Sequence, residues 1–227
     1  MTLIDNRKPI IFCDFDGTIT TKDNIIAIMR QFAPPGWEEI KDAILAEQIS
    51  IREGVAQLFH LIPTDKKQEI ISFALNQAEI RPGFEALLAY IKEKNITFKI
   101  VSGGIDFFVH PILEPYKLRD HLYCNESDFS GRTITITWPN RCDESCSNDC
   151  GCCKPSILRQ YPNDEYYKIV IGDSITDLQA AKEADEVFAC DDFLIEKCRE
   201  LNLHFSSFST FYEVIDSLQN KKEVRNH

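Results

Sequence analysis

Two carboxylates two residues apart, Asp14 and Asp16, follow the apolar run Ile10-Ile11-Phe12-Cys13 and precede Gly17-Thr18. An uninterrupted apolar run reads as a strand buried on both faces, as in a parallel sheet covered by helices. Alternation along extended chain sends both side chains the same way. Anions held that close repel unless a cation or a shared proton relieves them, and a hard divalent ion is the natural relief. The competing reading of an isolated Asp-x-Asp-Gly is a turn whose polar residues serve only the backbone. Further reactive groups occur downstream. Ser102-Gly103-Gly104 follows a second strand-like run and gives an anion close access to backbone amides. Lys154 supplies an ammonium, and Gly172-Asp173-Ser174-Ile175-Thr176-Asp177 supplies two more carboxylates. Asp23, close behind the first pair, is a weak candidate for contacting a substrate hydroxyl or amine.

Taken in order, Asp14-Phe15-Asp16-Gly17-Thr18, Ser102, Lys154 and Gly172-Asp173-x-x-x-Asp177 resemble the four motifs of the haloacid dehalogenase superfamily of phosphohydrolases. The resemblance spans residues 10 to about 190. It implies a Rossmann-like α/β core with a central parallel sheet and a Mg²⁺-dependent phosphomonoester hydrolase acting through an aspartyl-phosphate. By the same resemblance Asp14 is the nucleophile, and Asp16 is the acid that protonates the leaving oxygen and later activates water. Asp14, Asp173 and the backbone carbonyl of Asp16 are the implied metal ligands, with Asp177 behind them. Ser102, Gly103 and Lys154 are the implied phosphate-binding groups. The helical insert, the Ser-Gly-Gly motif and the Cys-Lys motif resemble the branch that includes phosphoserine and phosphocholine or phosphoethanolamine phosphatases. Within it, Arg81-Pro82-Gly83-Phe84, Ser102-Gly103-Gly104-Ile105-Asp106-Phe107-Phe108-Val109 and Cys150-Gly151-Cys152-Cys153-Lys154-Pro155 look most like the phosphatases of methionine salvage. A small phosphorylated metabolite is therefore the expected partner: a methionine-salvage enol phosphate first, phosphoserine or phosphocholine as alternatives. A phosphotransferase shares these groups. So does a phosphoaspartate signalling module, but an acid at Asp16 would hasten breakdown of its phosphoenzyme.

The 227 residues, 44% apolar and 11% aromatic, suffice for one core domain and a smaller appendage. A formal charge of −11 argues against nucleic acid or an anionic membrane as partner, because phosphate backbones need a basic face. An anionic small substrate then needs local positive potential from a metal, Lys154 and helix amino-termini. No stretch approaches the ~18 apolar residues of a membrane span. The opening residues lack a signal-peptide core, so a cytoplasmic location is expected. Oligomeric state is not legible in these features.

Positioning the reactive groups requires strands at Ile10–Cys13, 97–101 and 166–171, with outer strands at 187–189 and 204–205. Between the first two, Asn24–Phe32, the stretch around Trp37 and Leu45, a helix opened by the capping box Ser50-Ile51-Arg52-Glu53, and 65–78 all read as helix. That is far more than one crossover requires. The expected division is a catalytic core of residues 1–23 and 80–227 and a helical cap of residues 24–79. Phe32, Trp37, Phe59 and Trp138 are candidates to line an apolar pocket, although core packing is the simpler fate of each. Helices are expected over 84–94, 106–113, 178–184, 194–201 and 211–218, with a frayed polar tail from Asn220. Within the core segment, 123–153 reads as a hairpin with an exposed strand at Thr133–Trp138, followed by Cys142-x3-Cys146-x3-Cys150-x-Cys152-Cys153. This spacing matches no standard zinc ribbon or finger. Structural zinc, a disulfide or redox pair, and reduced thiols with a local role all remain open, the last being preferred from spacing alone.

Overall fold

A computed structural model describes residues 6–225 of the chain. Among them, seven strands form one sheet: β1 (Lys8–Cys13), β2 (Thr97–Ile105), β3 (Leu122–Asp128), β4 (Thr135–Thr137), β5 (Tyr166–Gly172), β6 (Glu186–Ala189) and β7 (Phe205–Ser207). Their spatial order is β4-β3-β2-β1-β5-β6-β7, and every pair is parallel except β3 with β4. The apolar run thus lies at the sheet's centre, with Ile10, Ile11 and Cys13 fully buried between the two faces.

Four helices separate β1 from β2: α1 (Asn24–Phe32), α2 (Trp37–Leu45), α3 (Ile51–His60) and α4 (Lys67–Gln77). Ser50 caps α3 by accepting from Glu53 N at 3.0 Å, the contact its spacing predicts. The chain enters and leaves this insert side by side. Thr21 N donates to Glu79 O and Arg81 N donates to Ile19 O, both at 2.8 Å, flanking a bridge between Thr20 and Ile80. The insert also meets the chain that follows β3. Ile134 N donates to Ile62 O at 3.0 Å, Thr64 N to Arg132 O at 3.1 Å and Arg52 N to Asp149 O at 3.2 Å. One apolar cluster joins Ile11 and Cys13 to Ile28, Met29 and Phe59 of the insert.

The remaining helices are α5 (Phe84–Glu93), α6 (Asp106–Leu113), α7 (Lys154–Arg159), α8 (Ile175–Ala181), α9 (Asp192–Glu200) and α10 (Phe211–Arg225). Five local expectations need correction. First, β2 runs past Val101 to Ile105, because its pairing with β3 shifts register between those residues, a bulge that carries Ser102 and the two glycines. Second, the strand expected to be exposed over 133–138 is confined to Thr135–Thr137. Its isoleucines, Ile134 and Ile136, are buried, and only the threonine face meets water. Third, α7 was not anticipated; Pro155 in its first turn suits a helix start. Fourth, α8 begins three residues early because Ser174 and Asp177 form a reciprocal capping box. Fifth, α10 continues through Asn220 to Arg225, since Gln, Lys, Glu and Arg are good helix formers. The tail's last two residues lie outside the described range.

Candidate active site

Asp14 leaves the end of β1 and extends its ladder, its N donating to Ile171 O of β5 at 2.8 Å. Asp173 follows the last residue of β5, and Asp177 sits in the first turn of α8. Carboxylate oxygens of Asp14, Asp173 and Asp177 all lie within 4.8 Å of one another. Lys154, at the start of α7, donates to Asp14 Oδ1 and to Asp177 Oδ1, each at 2.6 Å, and is itself buried. Asp177 is fully used: its Oδ2 accepts from Asp173 N (3.2 Å), Ser174 N (3.1 Å) and Ser174 Oγ (2.9 Å). It therefore fixes both the ammonium and the backbone that carries Asp173.

Asp16 points elsewhere. Its Oδ1 accepts from Asn24 N at 3.1 Å and Asn24 Nδ2 at 2.7 Å, and the same amide nitrogen donates to Thr20 Oγ1 at 3.0 Å. Ser102 is wholly buried and accepts from Gly104 N at 2.8 Å. A Cβ on Gly104 would stand 2.8 Å from Asp16 Oδ2 and 2.9 Å from Ser102 Oγ, so this glycine is what lets the second motif approach the first. Gly103 faces open space, and its carbonyl accepts from Asn125 Nδ2 at 2.8 Å. Asp23 lies at the surface and caps α1 by accepting from Ile26 N at 2.9 Å.

Burial, then the charge of Asp177, pushes Asp14 up to about 7 despite the opposing Lys154. Burial followed by the charges of Asp14 and Asp177 pushes Asp173 up to about 9. Asp16 rises to about 8, through burial and then the charge of Asp23, while the Asn24 side chain works against the shift. Burial pulls Lys154 down, but the charges of Asp14 and Asp177 more than offset it and hold the ammonium above its ordinary range. One cation facing three gathered carboxylates leaves a deficit of positive charge. An all-oxygen set of this kind fits Mg²⁺. Gly17 adds to the fit: it adopts φ +78°, and a Cβ there would fall 2.1 Å from Asp173 Oδ2, so only glycine leaves that carboxylate its place.

Residues invisible in the motif spacing complete the site. Asn24 orients Asp16. Arg81 donates to Gly17 O at 2.6 Å and to Thr18 O at 2.7 Å, clamping the turn that carries the carboxylates. An arginine just ahead of Pro82-Gly83 was the only hint of the latter. The aromatic candidates take the simpler fate of packing on the core: Trp37 and Phe59 are buried, Phe59 stacks edge-on against Phe107 at 6.0 Å, and the partly buried Phe32 does so against Phe73 at 5.5 Å. Trp138 packs in part against the same core and lies over Gly151. A groove of about 440 Å³ between Ile40, His60, Leu61 and Ile136 contains none of the motif residues.

Comparison with known proteins matches residues 11–182 to the haloacid dehalogenase-like hydrolase family. The chain is 56% identical over 218 residues to a protein of Geobacillus kaustophilus named 2-hydroxy-3-keto-5-methylthiopentenyl-1-phosphate phosphatase, covering 96% of this chain and 99% of that one. A Brevibacillus brevis protein of the same name is 55% identical, with 94% and 96% covered. Among solved structures, a phosphoserine phosphatase with a phospho-aspartyl intermediate analogue superposes with a TM-score of 0.69 at 19% identity, covering 93% of this chain and 99% of that one. A substrate-bound phosphoserine phosphatase gives 0.69 at 18% identity over the same shares. The fold, the ordered motifs and these matches agree, and the chain belongs to the haloacid dehalogenase-like hydrolase family.

Proposed function

We propose that the chain is a Mg²⁺-dependent phosphomonoester hydrolase working through an aspartyl-phosphate on Asp14, with 2-hydroxy-3-keto-5-methylthiopentenyl-1-phosphate of methionine salvage as substrate. The observation carrying the chemistry is the convergence of Asp14, Lys154 and Asp173, with Asp16 held apart on Asn24. The names of relatives above 50% identity over nearly the whole chain support the substrate. Asp14, Asp173 and the backbone carbonyl of Asp16 would hold the ion, backed by Asp177. When bound, Mg²⁺ supplies positive charge that favours the ionised carboxylates and offsets the phosphoryl oxygens.

Asp14 Oδ1 is occupied by Lys154, so Oδ2 is the oxygen that attacks phosphorus. As the phosphorus–ester bond breaks, Asp16 gives its proton to the departing alkoxide; a carboxyl raised to about 8 is protonated at neutral pH and suited to this task. Asp16, now ionised, takes a proton from water, whose oxygen attacks the phosphoaspartate, releasing inorganic phosphate and restoring Asp14. Lys154, Ser102 and the Gly103 backbone bind the phosphoryl oxygens. Helices α1 to α4 serve as a cap over the strand ends that excludes bulk water during the first step.

The test is phosphate release by the purified protein. Asp14→Asn should abolish it with the fold intact by circular dichroism, and kcat/KM for the methionine-salvage enol phosphate should exceed those for phosphoserine and phosphocholine at least tenfold, a gap of ~1.4 kcal/mol. Equal turnover of either competitor would move the substrate assignment while leaving the chemistry in place.

A further inference from the structure

Residues 138–153, between β4 and α7, contain no helix or strand, yet Cys150, Cys152 and Cys153 within them are buried. Irregular segments of this length inside a compact domain need something to order them. Cys142, Cys146, Cys150 and Cys153 converge there, all four Sγ atoms lying within 4.8 Å of one another. None is in a disulfide, and the Cys146 and Cys150 sulfurs stand 3.9 Å apart. A tetrahedral ion with zinc–sulfur distances of about 2.3 Å separates its sulfurs by about 3.8 Å. Cys152 is set apart from the four, buried against Ile10 and Val170 of the sheet core.

Donors already face the sulfurs. Cys150 N points to Cys142 Sγ at 3.5 Å, and Ser156 Oγ donates to Cys153 Sγ at 2.9 Å while accepting from Asp143 N at 2.9 Å. Hydrogen bonds of this kind hold thiolate ligands in place around a metal. Spacing alone favoured reduced thiols; the folded arrangement favours a coordinated set.

We propose that Cys142, Cys146, Cys150 and Cys153 bind one structural zinc ion, separate from the Asp14 site, which fixes the loop leading into Lys154. Binding releases the four thiol protons and leaves a tetrathiolate zinc. The loop reaches two ways. Asp149 pairs with Arg52 at 2.6 Å and accepts from Ser50 Oγ at 2.6 Å at the start of α3, while Asp143 pairs with Arg159 of α7 at 2.6 Å. A metal here would fasten the lysine-bearing helix to the helical insert.

Elemental analysis of the full chain, purified under reducing conditions and dialysed, should find one zinc per molecule. Cobalt exchanged into the protein should show thiolate-to-cobalt charge transfer and the strong visible bands of a tetrahedral site. Both signals should persist in Asp14→Asn and disappear in Cys146→Ser. In the unmodified protein, which avoids any folding defect of a variant, a mercurial reagent should release the zinc as four thiols react. Protein that takes up no zinc, that holds iron instead, that keeps its zinc in Cys146→Ser, or whose four cysteines are disulfide-linked after anaerobic purification would overturn the proposal. Metal content and the cobalt spectrum are read without any measurement of phosphate release, so the two readings fail separately.

Discussion

Asn24 holds the two carboxylates of the first motif apart. By donating twice to Asp16 it turns that side chain from the Asp14, Asp173 and Asp177 cluster and opposes the rise of its pKa. Asn24→Ala removes the side-chain donor and leaves the backbone one. We expect kcat to fall roughly tenfold or more, within the contribution usual for general acid–base catalysis. The alkaline limb of the pH–rate profile should move to higher pH, because the lost amide favoured the ionised form. A fall in kcat with an unmoved limb would mean that Asn24 acts only through packing. Asp14 and Asp173 were legible in the sequence because each follows the end of an apolar run, and Lys154 and Asp177 through the resemblance that the ordered motifs carry. Asn24 and Arg81 were not, since their roles exist only once the turn after β1 meets the two chain crossings of the insert.

At the level of elements, local rules read well wherever a cap or a period stood alone. Helix α1 starts and ends where its pattern places it, with Asp23 as cap, and α6 likewise occupies its expected range. Helix α7 escaped because six residues carry too little periodicity to register. The bulge in β2 escaped because it depends on the register of a neighbour. Ser50 offers a quantitative check on this scale, since one hydroxyl both caps α3 and donates to Asp149 of the cysteine loop. Ser50→Ala should lower unfolding stability by about 0.5–2 kcal/mol, the usual range for a lost cap, read as a shift of the urea midpoint at constant slope. An unchanged midpoint would show that the Arg52–Asp149 pair alone secures the start of α3.

For the whole molecule, the crowded carboxylates couple stability to pH. Asp14, Asp16 and Asp173 are raised from an ordinary value of 3.8 to about 7, 8 and 9. Between pH 4 and 9 the native state therefore holds more protons than the unfolded chain, and stability falls as pH rises through that window. The net charge of −11 adds self-repulsion in the same direction. In metal-free protein the melting temperature should drop from pH 5.5 to pH 8.5, and the gain on adding Mg²⁺ should be larger at the higher pH, where the ligands ionise more readily. A Mg²⁺ gain independent of pH, followed by thermal denaturation, would contradict the crowding. The seam between the insert and the chain after β3 bears on how such molecules diversify. Ile62, Thr64 and Arg52 of the insert share backbone hydrogen bonds with Ile134, Arg132 and Asp149. A chimera receiving a foreign segment for 24–79 alone would leave those partners facing a mismatched surface, whereas one that also received 129–153 would keep them paired. An exchange confined to the Thr20–Ile80 neck therefore breaks this seam, and only a swap of both segments together carries it over intact.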